Sequence, residues 1–123
     1  MTVNDLAVHF GLQVAAGKKG LERRVECGYC GDLLSEIMAN APEGSVWLTV
    51  QGHQNIVAVA VLRGMAGIIV TGGRMPDDET LQKADREGVP LLLASESTYQ
   101  LAGRLYSEGV GRLFTKVRKP FLI

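Results

Sequence analysis

A glycine pair followed by an arginine, Gly72-Gly73-Arg74, ends an apolar β-prone segment and could hold an anion. Glycines at such a junction can expose backbone N–H groups, and the arginine guanidinium adds a planar set of donors that suits phosphate or carboxylate. The spacing is not that of the G-x-G-x-x-G fingerprint or of a P-loop. The alternative is a tight turn that needs positive φ, with Arg74 solvated. The sequence leaves both interpretations open.

A second cluster of polar side chains follows another β-prone segment. It consists of Gln51, His53, Gln54 and Asn55. Amide and imidazole groups could read a base, a ribose or an amide by hydrogen bonding. Alternatively, Gln54 or Asn55 caps the next helix and His53 is an exposed loop residue. Four such side chains exceed what capping needs, which favours a recognition role for the cluster.

Two cysteines, Cys27 and Cys30, form a C-x-x-C-G pattern that could be a metal-binding turn or a redox pair. A structural zinc needs four ligands, so a second copy of the chain, His9 or His53 would have to contribute. A redox role would place the pair at a helix N-terminus, and we expect Asp32 to open such a helix. The alternative, two small semi-buried thiols, is favoured, so zinc is not expected.

Catalytic machinery is not indicated. A Ser95, His53 and Asp32 triad can be assembled on paper, but no nucleophile elbow surrounds any serine and no oxyanion hole is suggested. We therefore expect no catalytic residue, no required cofactor and no enzyme activity.

Composition excludes several classes of protein. The chain has 123 residues with 13 Lys and Arg against 13 Asp and Glu, so nothing favours nucleic acid or an acidic membrane as a partner. The longest apolar run, residues 56–62, is too short to span a bilayer, and the N-terminus does not resemble a signal peptide. We expect one soluble, cytoplasmic domain over residues 1–123.

Four glycine-led, apolar segments beginning at residues 44, 64, 88 and 109 are spaced by about one strand plus one helix. The run IVAVAVL, residues 56–62, is β-branched, but the alternation demands a helix there, with Gly64 as its cap. A later helix, capped by Ser95 or Ser97, is expected to run to Glu108, with apolar contacts supplied by Tyr99, Leu101, Ala102, Leu105 and Tyr106. The fold class predicted is α/β, a single layered domain with a mainly parallel sheet of about four to six strands and helices on both faces. Residues 112–123, basic and apolar, are expected to add an edge strand or a tail.

The carboxyl ends of parallel strands share one edge of a sheet, and ligands bind there. Segments 27–32, 51–55, 72–74 and 95–97 are expected to meet at that edge. The candidate ligand-binding residues are therefore Asp32, His53, Gln54, Asn55, Gly72, Gly73 and Arg74.

Residues 28–110 resemble the DRTGG domain in continuous register. The most specific pieces are GDLLSEIMAN, HQNIVAVAVLRG and VTGGRMPD, although the motif that names the domain is replaced here by Val70-Thr71-Gly72-Gly73-Arg74. The resemblance implies a regulatory or linking module, as in some phosphate acetyltransferases and in pyrophosphatases with paired CBS domains. It also implies a fold similar to the N-terminal domain of HPr kinase, frequent dimerisation and no established catalytic residue. The cysteine pair is not a feature of that family.

Three functions remain. The first is a non-catalytic regulatory module, a homodimer that binds a nucleotide or small anion at the strand ends. The second is a protein-interaction domain that contacts a partner enzyme or a signalling protein. The third is a metal or redox accessory protein that uses Cys27 and Cys30.

Overall fold

Strands and helices alternate along the chain in a computed structural model, which describes residues 1–111. In chain order the elements are α1 Val3–Phe10, β1 Gln13–Ala16, a 3₁₀ turn Lys18–Gly20, β2 Cys27–Cys30, α2 Leu34–Asn40, β3 Ser45–Thr49, α3 Asn55–Leu62, β4 Gly67–Val70, α4 Asp78–Glu87, β5 Leu91–Leu93 and α5 Thr98–Ser107.

The strands form one five-stranded sheet with the order β1-β5-β4-β3-β2. Strands β2 to β5 are parallel, because a helix follows each of β2, β3 and β4 and returns the chain to the same end of the sheet. Strand β1 pairs antiparallel with β5 at one edge, which leaves β2 at the other. The predicted mainly parallel sheet is confirmed.

Helices cover both faces of the sheet, as predicted. Alternate side chains of the central strands point to opposite faces, so Trp47 and Ile68 pack on one side and Leu48 and Ile69 on the other. Helices α2, α3 and α4 cover the Trp47 face, and α1 and α5 cover the Leu48 face. Two apolar layers therefore hold the strand ends, and the loops between them, in place.

The run IVAVAVL is helical, as predicted from its place in the alternation. Its residues Ile56, Val57 and Ala60 are buried against the sheet, so tertiary packing overrides the β preference of Ile and Val. The chain leaves α3 through Gly64, whose φ of 61° lies in the left-handed region that favours glycine.

Two local expectations were wrong. Cys27–Cys30, expected as a turn, is strand β2, because its backbone pairs in register with β3, with Tyr29 opposite Trp47. Asp32 does not open a helix, since α2 begins at Leu34 and its N-terminal flanking residue is Leu33.

The C-terminal third of the chain agrees with one expectation and leaves another outside the described residues. Ser97 caps α5 by accepting from the Gln100 N–H at 3.2 Å, one of the two predicted alternatives. Residues 109–111 form a turn, and the predicted edge strand or tail at residues 112–123 lies outside the described residues. Within residues 1–111, every helix is too short or too polar to cross a membrane.

Candidate functional site

The loops that follow β4 and β5 leave the sheet toward opposite faces. The loop after β4 leads to α4 on one face of the sheet, and the loop after β5 leads to α5 on the other. The place where the loops of neighbouring strands leave on opposite faces is the usual position of a ligand site in parallel sheets. We call these loops, with those after β2 and β3, the strand-end loops.

Asp32 ties two strand-end loops together. One carboxylate oxygen, Oδ1, accepts from the Thr49 hydroxyl at 2.9 Å and from the Val50 N–H at 2.8 Å. The Gln51 side-chain amide donates to the Asp32 carbonyl at 3.0 Å. Asp32 is therefore at the predicted edge, but the bonds around it shape the loops.

Replacing Asp32 by alanine is expected to lower the free energy of unfolding by about 1–3 kcal/mol, because the buried Thr49 hydroxyl and the Val50 N–H lose their acceptor. Asparagine keeps an oxygen at the same position, so Asp32→Asn should cost clearly less. Urea denaturation of the two variants measures the difference, and equal losses would contradict this role of the carboxylate oxygen.

The loop after β3 is fixed against the loop before α4. The Gly52 carbonyl accepts from the Asp77 N–H at 3.1 Å and from the Thr80 hydroxyl at 2.6 Å. The Gln54 side-chain amide donates to Glu79 at 3.3 Å, so part of its hydrogen-bonding capacity is already used.

His53 takes the capping role that the sequence assigned to Gln54 or Asn55. Its Nδ1 accepts from the Asn55 N–H at 3.1 Å, whereas Gln54, which precedes the helix, makes no side-chain capping bond. A ring that accepts at Nδ1 carries its proton on Nε2 when neutral. Because His53 and Asn55 are exposed, the Nε2–H of His53 and the Asn55 side chain remain available to a ligand.

The glycine pair joins the loops after β4 and β5. Gly72 and Gly73 have φ values of 75° and 70°, and their N–H groups donate to Glu96 O at 2.7 Å and to Ala94 O at 2.9 Å. These are the amides that the sequence analysis assigned to an anion. Because both already have acceptors, anion binding at this loop would depend on Arg74.

Arg74 is an exposed cation in the loop after β4, and its guanidinium lies against Gly72. None of the ion pairs among residues 1–111 involves Arg74, and the nearby Glu96 is paired with Arg104 instead. The Arg74 guanidinium is therefore exposed to solvent and has no acidic partner in the described part of the chain.

Sequence reasoning missed a pair of hydroxyls at the end of β4. The buried Thr71 Oγ1 lies 2.6 Å from Thr98 Oγ1 and fixes the first turn of α5 against β4.

The expectation for Tyr99 was wrong, because its side chain is 88% exposed. The helical phase could have indicated this, since Leu101 and Leu105, four residues apart, define the buried face of α5.

The two cysteines are not arranged to bind one metal ion together. Residues three positions apart in a strand point to opposite faces, and Cys27 is buried whereas Cys30 is exposed. No group of three or more His, Cys, Asp or Glu side chains within residues 1–111 could hold a metal ion. Burial raises the pKa of the Cys27 thiol, with help from Glu26. The Cys30 residue is exposed, but partial burial of its thiol raises the pKa as well, with help from Asp32.

A raised thiol pKa lowers the thiolate fraction, so native Cys30 is expected to react with iodoacetamide at pH 7.5 more slowly than free cysteine does. Buried Cys27 should react only after unfolding in urea. Mass spectrometry after timed alkylation measures both rates. Native thiols that react as fast as free cysteine, or faster, would instead support redox chemistry.

The fold and these loops define a layered α/β domain whose polar strand-end loops lie at the carboxyl edge of its sheet. The family model of the DRTGG domain matches residues 5–107, so the chain belongs to the DRTGG domain family. No curated protein matches the sequence.

The chain is similar to a solved structure, the CBS and DRTGG domains of the regulatory region of Clostridium perfringens pyrophosphatase, complexed with its activator diadenosine tetraphosphate. The TM-score is 0.67 at 17% sequence identity, over 85% of this chain and 45% of the pyrophosphatase chain. This likeness is one of fold, and the present chain spans less than half of the pyrophosphatase chain.

Proposed function

We propose that this chain is a non-catalytic regulatory module that binds a nucleotide or a similar phosphate-bearing ligand at the strand-end loops. The observation that carries the proposal is Arg74, whose exposed guanidinium lies in the loop after β4 and takes part in no ion pair among residues 1–111. A planar fork of donors in this position suits a phosphate group.

Neighbouring groups support a ligand larger than a simple anion. The His53 Nε2–H can donate a hydrogen bond, and the side-chain amide of Asn55, the first residue of α3, can both donate and accept. Both residues follow Gly52, which contacts Pro76 in the segment just after Arg74. In the proposed arrangement Arg74 binds the phosphate while His53 and Asn55 contact the base or ribose. The activator of the pyrophosphatase described above, diadenosine tetraphosphate, contains all of these groups and is the first ligand to test.

The arrangement of the polar residues also favours a role without catalysis. A triad would need the Asp32 carboxylate to orient the His53 ring, but Asp32 Oδ1 accepts from Thr49 and Val50, and His53 Nδ1 accepts from the Asn55 N–H. The groups that could have activated a nucleophile are occupied in shaping the loops.

We propose a homodimer as the working form, which light scattering after gel filtration tests.

Thermal-shift titration of the full chain tests the ligand proposal. The panel is ATP, diadenosine tetraphosphate, acetyl phosphate and inorganic phosphate, with adenosine as the control that lacks a phosphate. We expect a saturable rise in Tm with at least one phosphorylated compound and none with adenosine, because a ligand that binds only the folded state stabilises it. No shift with any phosphorylated compound at millimolar concentration would refute the proposal.

A second candidate, a protein-binding surface at the same edge, is favoured by two exposed apolar side chains. Leu33 and Met75, which follow β2 and β4, are 67% and 68% exposed. Exposed apolar side chains mark a protein contact when they form one continuous patch, which this second candidate requires of Leu33 and Met75. A Leu33→Ser, Met75→Ser double variant that keeps its ligand-induced shift but loses its dimer would favour this second role.

A further inference from the structure

The backbone of Glu96, which follows β5, lies beside the loop that carries Arg74. The Glu96 carbonyl accepts from the Gly72 N–H at 2.7 Å. A Cβ at Gly72 would lie 2.3 Å from Arg74 Nη1, so with ordinary bond lengths this nitrogen is no more than about 8 Å from the Glu96 carbonyl oxygen. Glutamate and arginine side chains can together cover such a distance. The Glu96 carboxylate therefore has Arg74 within reach as an ion-pair partner.

The Glu96 carboxylate is bonded to Arg104 of α5 rather than to Arg74. Arg104 lies six residues after Thr98, the first residue of α5, and therefore about 9 Å further along the helix axis. Because α5 starts beside the strand-end loops, this ion pair points the Glu96 carboxylate along the helix and away from the strand ends. The Glu96 side chain is only 27% exposed, so solvent weakens the pair less than it weakens a fully exposed one.

Contacts with α1 hold Arg104 in this position. Its guanidinium carbon lies 5.3 Å from the centroid of the Phe10 ring, a distance at which a cation and an aromatic face attract each other. One turn further along α5, the Glu108 carboxylate lies 2.8 Å from His9 Nε2. Arg74, in contrast, is exposed in a loop and has no ion-pair partner within residues 1–111. Arg104 is therefore the more firmly held of these two arginines.

A change of partner by Glu96 would block the proposed phosphate contact. Carboxylate and phosphate bind an arginine fork through the same N–H groups, so a carboxylate paired with Arg74 would compete with the ligand. Two negative groups at one site also repel each other. The phosphate contact at Arg74 therefore depends on a different cation that binds the Glu96 carboxylate.

We propose that Arg104 is a positioning residue for the phosphate site: by binding the Glu96 carboxylate, it leaves the Arg74 guanidinium available to a phosphate-bearing ligand. Its consequence for ligand binding rests on the proposed function. The competition of the two arginines for Glu96 can be measured without any ligand, so a failure of this proposal is distinguishable from a failure of the proposed function. Arg104 thereby acts on the site from α5, outside the strand-end loops.

Chemical modification of arginine in the full chain tests the proposal without a ligand. Phenylglyoxal reacts with free guanidinium groups, and an ion pair slows the reaction because it occupies the N–H groups. The variants are Arg104→Met, which keeps a long side chain against Phe10 but removes the cation, Arg104→Lys, which keeps the cation, and Arg104→Met combined with Glu96→Gln. Peptide mapping by mass spectrometry gives the rate at Arg74 relative to Arg86, an exposed arginine in the last turn of α4.

We expect Arg74 in the Arg104→Met variant to react at least about threefold more slowly than in the unmodified chain, since exposed ion pairs change such equilibria by up to about fivefold. Glu96→Gln in the same background should restore the rate, and Arg104→Lys should leave it unchanged. An unchanged rate at Arg74 in Arg104→Met would overturn the proposal. A fall that Glu96→Gln does not reverse would also overturn it, because the effect would then come from the structure around residue 104.

Calorimetric titration with diadenosine tetraphosphate measures the consequence for binding. We expect Arg104→Met to weaken binding about threefold to fivefold, Glu96→Gln alone to change it less than about twofold, and the two together to restore the wild-type Kd. A general effect of charge would instead make Glu96→Gln strengthen binding by the same factor in both backgrounds, and that result would overturn the proposal. Absence of binding in the unmodified chain would refute the proposed function, whereas the modification rates would still decide which arginine holds Glu96.

Discussion

Replacing Trp47 by alanine is expected to lower the free energy of unfolding by about 3–5 kcal/mol, the usual cost of removing a large aromatic side chain from a core. Trp47 lies in β3, is fully buried, and packs beneath the helices of its face. Its indole N–H also donates to the Gly31 carbonyl at 2.8 Å, which fixes the loop that carries Asp32. A loss of this size is a large share of the roughly 5–15 kcal/mol that stabilises a typical domain. Urea denaturation followed by far-UV circular dichroism measures it.

The matched variant is Trp47→Phe, which keeps an aromatic ring in the core but removes the indole N–H. We expect it to cost about 1–3 kcal/mol, because the Gly31 carbonyl loses its donor and the smaller ring leaves a small cavity. A loss below about 1 kcal/mol for Trp47→Ala would contradict the packing described for this face. Equal losses for the two variants would show that the hydrogen bond, rather than the ring, carries the effect.

Replacing Arg74 by alanine is expected to weaken the binding of a phosphate-bearing ligand by about 10- to 100-fold. Hydrogen bonds to charged groups contribute about 1.5–3 kcal/mol, and 1.4 kcal/mol corresponds to a tenfold change in Kd. Stability should hardly change, because the side chain is exposed and joins no ion pair within residues 1–111. Calorimetric titration gives the affinity, and urea denaturation gives the stability.

Arg86→Ala is the control for charge. Arg86 is also an exposed arginine, but it lies in the last turn of α4, away from the strand-end loops. Both variants lower the net charge by one, so a general electrostatic effect would weaken binding equally in the two. We expect a loss only in Arg74→Ala. Wild-type affinity in Arg74→Ala would contradict the assignment of the phosphate contact to this residue.

Local patterns were enough to predict much of the fold. The alternation of glycine-led strands with helices gave the mainly parallel sheet, and it placed a helix over residues 56–62 against the β preference of its Ile and Val residues. The polar Ser97 was correctly proposed as a cap because capping depends on neighbours within one turn. Features of this kind can be read from a few adjacent residues.

Features that depend on distant partners could not be predicted in this way. Strand β2 contains a glycine and two cysteines, which give little β signal, and it exists because β3 pairs with it. The Gly72 N–H is occupied by a carbonyl 24 positions away, at Glu96, which no local pattern indicates. The hydrogen bonds of Asp32 were missed for the same reason, because its partners Thr49 and Val50 lie 17 and 18 positions away. The capping bond of His53 is local, and the sequence assigned it to the wrong neighbouring residue.

The most direct test of the central claim is an NMR titration of the full, ¹⁵N-labelled chain with diadenosine tetraphosphate. We expect saturable amide shifts that are concentrated at residues 53–55 and 72–74 and are lost in Arg74→Ala. Shifts confined to other parts of the sheet, or no shift at millimolar ligand, would contradict the assignment of a phosphate-binding site to the strand-end loops.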